Sequence, residues 1–209
     1  MKMEEEVFCL ERSDLARLFG GALPQGAFVG PGPEQVLALP QSFLPRGRAE
    51  ENPAFKQLIP YQLFCFRELF FVYRRGGGVG EGRLAGRLSV GIGGHINRDD
   101  ADGGNLLTPA AYQAALLRER TEELVNAEAV PGHFVGWIND DDSAVGRVHL
   151  GAVHLGELAT EAACRALGIR ADGEDIHPLG WWSVAEIRAQ GERFEQWSLL
   201  AVELAVGGA

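Results

Sequence analysis

Apolar and polar positions recur with two different periods along this chain, and the switches between them mark out its elements. Tyr61–Arg75 is aromatic and β-branched with polar Arg67-Glu68 in the middle, the pattern of a strand or of a hairpin turning at that dipeptide. Arg83–Ile96 alternates back into a strand that ends on a double glycine, Gly93-Gly94. From Thr108 the period lengthens to that of a helix. Thr108 is a suitable N-cap and Pro109 a suitable first helical residue, and the helix is expected to run to about Val125. Ala110, Ala114, Leu117, Thr121, Leu124 and Val125 would form its core-facing stripe. At roughly 100° per residue, Glu119, Glu122 and Glu123 would share the opposite side.

His133–Asn139, a polar turn at Asp140–Gly146 and Arg147–Leu155 read as an antiparallel hairpin. Glu161–Leu167 reads as a short helix. Trp181-Trp182 would end a strand before a helix capped at Ser183, and Phe194–Val206 would be a final amphipathic helix. Residues 1–56 read as an N-terminal extension packed on a domain of residues 57–209. Within it, Val7–Phe19 suggests a short strand and a short helix capped at Ser13, and the Gly- and Pro-rich Gly20–Arg48 suggests turns and irregular coil. Strands, helices and a hairpin interleave, so the expected fold class is α/β in the broad sense (α+β).

Composition narrows the function. At 209 residues and 46% hydrophobic content the chain can bury a sizeable core, and its formal charge of −10 argues against a duplex nucleic acid or an anionic membrane surface as partner. Nucleotides stay open, because a bound cation can bridge acidic protein and acidic phosphate. Cys9, Cys65 and Cys164 are odd in number and lack C-x-x-C spacing, so they read as buried thiols of a reducing compartment. With neither a leader-like apolar segment nor an apolar run of 18 residues, a soluble cytoplasmic protein is expected. A homodimer is compatible with the sequence but not indicated by it.

Two loops carry weaker signals. Gly76–Gly82 lacks the G-K-[ST] that a P-loop requires. Asn97–Asn105 contains D-x-D-G, but position 12 counted from Asp100 is Ala111 rather than the glutamate of a calcium loop. A solvated acidic loop is the expectation.

The acidic trio is locally unfavourable. Glu119 lies i,i+3 and i,i+4 from Glu122 and Glu123, and each like-charge pair costs about 0.2–0.5 kcal/mol. The helix C-terminus also disfavours anions. Arg118 and Arg120 offset part of this, and a hard divalent cation would offset more, since oxygen-only clusters are what Mg²⁺ binds. The competing reading is a solvated charged face.

R-E-x-x-E-E (Arg118, Glu119, Glu122, Glu123), with Gly93-Gly94 upstream, resembles the signature of the Nudix (MutT-like) hydrolases, G-x5-E-x7-R-E-U-x-E-E-x-G-U with U aliphatic. The chain departs from it in four places. Ala110 stands for the first glutamate, Arg120 for the aliphatic residue and Val125-Asn126 for G-U, and ten extra residues separate Gly94 from Arg118.

The resemblance implies a mixed β-sheet between helices and hydrolysis of a diphosphate linkage with Mg²⁺ or Mn²⁺. The substrate would be a nucleoside diphosphate derivative or a related phosphorylated metabolite. Glu119, Glu122 and Glu123 would be metal ligands, one doubling as base. The Gly93 carbonyl would complete the coordination, and Arg118 would brace the carboxylates. His95 could face a phosphate or make a turn contact, and Trp181 or Trp182 could stack on a base or anchor the last helix. His149 and His154 read as structural histidines. A further acidic residue would come from Glu157, Glu161, Glu174 or Asp175. Because Ala110 and Val125 break the pattern, the alternative is a Nudix-fold nucleotide-binding or regulatory module without hydrolysis. An isomerase of the same fold is disfavoured, because no cysteine accompanies the metal helix.

Overall fold

The β-branched and aromatic runs form strands in the computed structural model, which describes residues 4–76, 85–170 and 176–207. In chain order the elements begin β1 (Glu6–Glu11), α1 (Arg12–Leu18), β2 (Gly26–Phe28), α2 (Pro33–Leu37), β3 (Gln41–Pro45) and α3 (Arg46–Ala49). There follow β4 (Phe55–Phe66), β5 (Leu69–Arg75), β6 (Leu88–Ser89), β7 (Gly91–Gly93), α4 (Pro109–Glu123) and β8 (Leu124–Val125). The rest are β9 (Gly132–Asn139), β10 (His149–Glu157), α5 (Glu161–Ala166), β11 (Gly168–Ile169), β12 (Ile176–Ser183), α6 (Val184–Ala189) and α7 (Gln196–Gly207). Among the described residues ten strands join one sheet along the path β12-β5-β4-β10-β9-β2, with β1, β3, β6 and β7 paired off that path; β11 and β8 form a separate pair. The fold is α+β, as the interleaving of periods predicts.

The chain divides into two units. One comprises Met1–Tyr61, Gly93–Leu117 and Gly136–Val153, the other Gln62–Ile92, Arg118–Val135 and His154–Ala209.

In the first unit β1 lies antiparallel to β3, with Val7 opposite Leu44 and Phe8 opposite Phe43, and to the start of β4, with Cys9 opposite Gln57. Gly20–Arg48 is therefore not the irregular coil its glycines and prolines suggest, since β2, α2, β3 and α3 all fall within or across it. The strand β3 finds its partner in β1, too distant in sequence for local composition to reveal. Ser13 does not cap α1. Glu11 occupies that position without a side-chain cap, and the Ser13 hydroxyl donates to Glu11 Oε2 at 3.2 Å. Trp137 of β9 is fully buried; its indole N–H donates to the Pro31 carbonyl at 2.8 Å and its ring meets Phe19 edge-on at 5.8 Å.

A charged cluster lies beneath the 140–146 turn. Lys56, at 0% exposure, donates from Nζ to Asp141 Oδ1 at 2.8 Å and to the Gly146 carbonyl at 2.6 Å. Asp141 also accepts from both terminal nitrogens of Arg12 and from Asn139 Nδ2. Burial alone would raise the Asp141 pKa, but the bonds from Arg12, Lys56 and Asn139 hold it well below the usual carboxylate range. Burial lowers the Lys56 ammonium from its ordinary 10.5.

In the second unit β4 and β5 form a hairpin, Cys65 opposite Phe70, turning through Arg67 at φ 56°. β12 lies antiparallel to β5, pairing Trp181 with Phe71 and Trp182 with Phe70. Phe64, Phe71, Tyr73, Ile92, Leu124 and Ile176 belong to its core, with Trp181 packed against them. Of the strand expected over Arg83–Ile96, residues 83 and 84 lie outside the described residues; the rest holds two short strands, β6 and β7, interrupted at Val90, whose backbone N–H goes to Ser198 Oγ instead. Ser183 does cap α6, in a reciprocal box with Glu186. The last helix starts at Gln196, because Phe194 and Glu195 are buried ahead of it; Glu195 accepts from Ser89 Oγ at 2.6 Å and pairs with Arg75 at 3.1 Å.

Candidate functional site

Thr108 caps α4 as its sequence indicates, its hydroxyl accepting from the Ala111 N–H at 3.2 Å. The helix stops at Glu123, and β8 takes over at Leu124. Its buried face is not the expected one. Ala110 and Ala114 are exposed and Leu117 is 44% exposed, whereas Ala111, Tyr112, Ala115, Leu116, Glu119 and Arg120 are buried. Those six keep the i, i+3/i+4 spacing of a core stripe. Tyr112 decides the orientation, because it buries more apolar surface than any alanine of the competing stripe.

Two charged side chains thus lie on the packed face. Glu119 is 9% exposed, and Arg118 Nη1 donates to its Oε1 at 2.9 Å; the same nitrogen reaches both oxygens of exposed Glu122 at 3.1 and 3.2 Å. Glu123 is half-buried, and its backbone carbonyl accepts from Arg170 at 2.9 Å. Glu119, Glu122 and Glu123 offer carboxylate oxygens, the donor type of a hard cation, but among the described residues they are not a group whose ligand atoms all lie within 4.8 Å of one another. Gly93 belongs to the other unit, where it packs so closely that a Cβ there would collide with the Pro60 carbonyl oxygen.

His95 and His149 come together in the first unit, their Nε2 atoms 3.2 Å apart, with Glu50 Oε1 at 3.8 Å from one and 3.7 Å from the other. Among the described residues this is the group of three ligand-bearing side chains whose ligating atoms all lie within 4.8 Å of one another. No local pattern announces Glu50, and His149 reads from its strand as structural. The remaining positions carry less chemistry. His154 is buried against Phe134, its pKa lowered to about 4 by burial first and then by the charges of Arg120 and His133. Trp181 and Trp182 are half-buried on β12, against Phe71 at 5.5 Å and Phe194 at 6.0 Å. Glu161 pairs with Arg165 on α5, Glu157 is exposed, and Glu174 and Asp175 lie outside the described residues, as do residues 77–82 of the glycine loop. Among the described residues no helix is long and apolar enough to cross a membrane.

No family model matches the chain. YmaB of Bacillus subtilis (strain 168) is 32% identical over 216 residues, covering 97% of this chain and 98% of YmaB. The crystal structure of Tm1382, described as a candidate Nudix hydrolase, superposes with a TM-score of 0.72 at 24% identity over 97% of this chain and 99% of that one. This chain belongs to the family of YmaB, and its fold is the Nudix fold. The Nudix domain of Shewanella oneidensis NrtR, in complex with ADP-ribose, gives a TM-score of 0.51 at 15% identity, covering 73% of this chain and 87% of that chain.

The Nudix frame gives the departures from the signature a physical reading. Arg120, at the aliphatic position, is a buried structural cation. It donates to Gln62 Oε1 at 2.9 and 3.0 Å, to the Val130 carbonyl at 2.8 Å and to the Ala127 carbonyl at 3.3 Å, over the face of Phe64. At the aliphatic position that closes the signature, Asn126 takes φ 61° and donates from Nδ2 to the Ala166 carbonyl at 2.8 Å. Asparagine tolerates the left-handed region better than other side chains. Ala110, which stands at the place of the first glutamate, is exposed.

Proposed function

We propose that this chain is a divalent-cation-dependent hydrolase that cleaves a diphosphate linkage in a nucleoside diphosphate derivative or a related phosphorylated metabolite. The observation that carries this reading is Glu119, a buried carboxylate at the end of a Nudix-fold helix, held by Arg118 together with Glu122. Burying a carboxylate is costly, and groups kept so are paired or bind metal. Glu119, Glu122 and Glu123 would hold the ion. A bound divalent cation supplies neutralisation of phosphate charge and a lower pKa for water. Arg118 spaces the first two carboxylates and limits their rotamers, and one glutamate of the three accepts the proton of the attacking water. ADP-ribose, the ligand of the NrtR domain, joins the substrates worth screening.

The test is a Mg²⁺-dependent screen of the purified protein against ADP-ribose, nucleotide sugars, dinucleoside polyphosphates and nucleoside triphosphates. Glu122→Gln and Glu123→Gln should each lower turnover more than tenfold; smaller losses would refute these roles. A second reading, nucleotide binding without hydrolysis, is favoured by Ala110, which leaves the pattern's first carboxylate unfilled. Calorimetry separates the two: metal-independent nucleotide binding with no product formed supports the binding module.

A further inference from the structure

We propose that Glu50, His95 and His149 form a divalent cation site of the zinc type, built without any glutamate of α4. The first observation is geometric. Three ligand atoms separated by 3.2, 3.7 and 3.8 Å define a triangle whose equidistant point lies about 2.1 Å from each atom, the length of a Zn–N or Zn–O bond. An ion entering there needs little rearrangement of the three side chains. Two imidazoles and one carboxylate leave at least one coordination position for water, the donor set of open zinc sites. Nitrogen donors also favour Zn²⁺ and its neighbours over Mg²⁺, which takes oxygen.

The second observation concerns the tautomer. His149 Nδ1 lies 2.7 Å from the Val145 carbonyl, an acceptor only, so Nδ1 carries the proton and the neutral ring presents a lone pair at Nε2. That outer bond to a backbone carbonyl is the usual support of a metal-ligating histidine. Without an ion, His95 Nε2–H can donate to the same lone pair; an ion replaces this bond once His95 carries its proton on Nδ1. The turn bearing Val145 is itself held by the bond from Lys56 Nζ to the Gly146 carbonyl, 2.6 Å long. Ligand, orienting carbonyl and the support of that carbonyl form one chain of contacts. All three ligands belong to the first unit, and the site stands whether or not the glutamates of α4 hydrolyse anything.

Stripped of metal with a chelator, the full-length protein is titrated with Zn²⁺ alone by calorimetry and with Co²⁺ by visible absorption. One equivalent should bind, at least about 100-fold more tightly than Mg²⁺, with Zn²⁺ bleaching the Co²⁺ spectrum. Glu50→Gln, His95→Asn and His149→Ala should each weaken Zn²⁺ by at least the 10–100-fold that loss of a supporting partner costs. Circular dichroism checks their folding. If His149→Ala fails to fold, the two less buried positions decide. Glu119→Gln and Glu122→Gln should keep the equivalent. Zn²⁺ binding no tighter than Mg²⁺, survival of the site in Glu50→Gln/His95→Asn, or its loss in the α4 variants overturns the proposal.

Discussion

Removing the Asp141 carboxylate should cost more than removing the ammonium it pairs with. Asp141 gathers Arg12, Lys56 and Asn139, and Lys56 is 0% exposed, with the Gly146 carbonyl as its other acceptor. In Asp141→Ala the Lys56 cation stays buried beside Arg12 with one neutral acceptor, and a buried charge stripped of its counter-ion costs about 3–5 kcal/mol. Lys56→Met keeps most of the stem's volume and leaves Asp141 its bonds from Arg12 and Asn139. It should cost about 1.5–3 kcal/mol, the value of a hydrogen bond to a charged group. At about 2–4 °C per kcal/mol for a chain of this size, Asp141→Ala should melt about 6–20 °C lower and Lys56→Met about 3–12 °C lower. Urea titration and thermal melts at neutral pH measure both. The pH dependence adds an independent check. A carboxylate held below its unfolded value of 3.8 contributes stability above that pH and loses it as acid protonates the group, so Asp141→Asn should flatten the acid limb of the stability curve. Equal losses in the two variants, or less than about 1 kcal/mol for Asp141→Ala, would show that the cluster is wetter than its burial implies.

Arg120→Leu restores the signature's aliphatic residue yet should destabilise the protein by about 2–4 kcal/mol, because Gln62 Oε1 and the Ala127 and Val130 carbonyls lose their donor. The same change should raise the His154 pKa from about 4 only part of the way to 6.5, since burial outweighs the arginine charge; NMR titration of the ring protons reads it, and no movement refutes the coupling. With its folded pKa lowered, His154 binds fewer protons than the unfolded chain between those values, so its contribution to stability is present above about 6.5 and lost as pH falls towards 4. Replacing it with glutamine should flatten that slope in urea titrations. Gly93→Ala should cost about 1–3 kcal/mol by overpacking against the Pro60 carbonyl, and a melting temperature within a degree of the parent would contradict the contact. Burial pushes the thiols of Cys9 and Cys65 up to about 12 and about 11, so a thiol reagent at pH 8 should label half-buried Cys164 first, as peptide mapping would show.

Local chemistry was legible where one side chain settles it: the Thr108 cap, the Ser183 box and the turn at Arg67 each need only neighbours within three residues. The face of α4 was not. A-A-Y-Q-A-A-L-L offers two apolar stripes, and the charges of Glu119 and Arg120 assign the true one to water unless Gln62 and Arg118 are known to meet them. The segment around β3 was hidden by its own prolines, because its partner β1 lies some 35 residues earlier. The cluster of Glu50, His95 and His149 had no signature, since its members sit on separate segments and the two histidines are 54 residues apart. The R-E-x-x-E-E run was readable because a helix places chemistry at fixed short spacing.

The enclosed indole of Trp137 offers an optical handle. Of the four tryptophans, Trp181, Trp182 and Trp197 fall in the second unit and Trp137 alone in the first. Replacing those three with phenylalanine would leave a single emitter, shielded from solvent quenchers. Its red shift during denaturation would time the opening of the unit that holds Glu50, His95 and His149 independently of the unit that carries Glu119, Glu122 and Glu123.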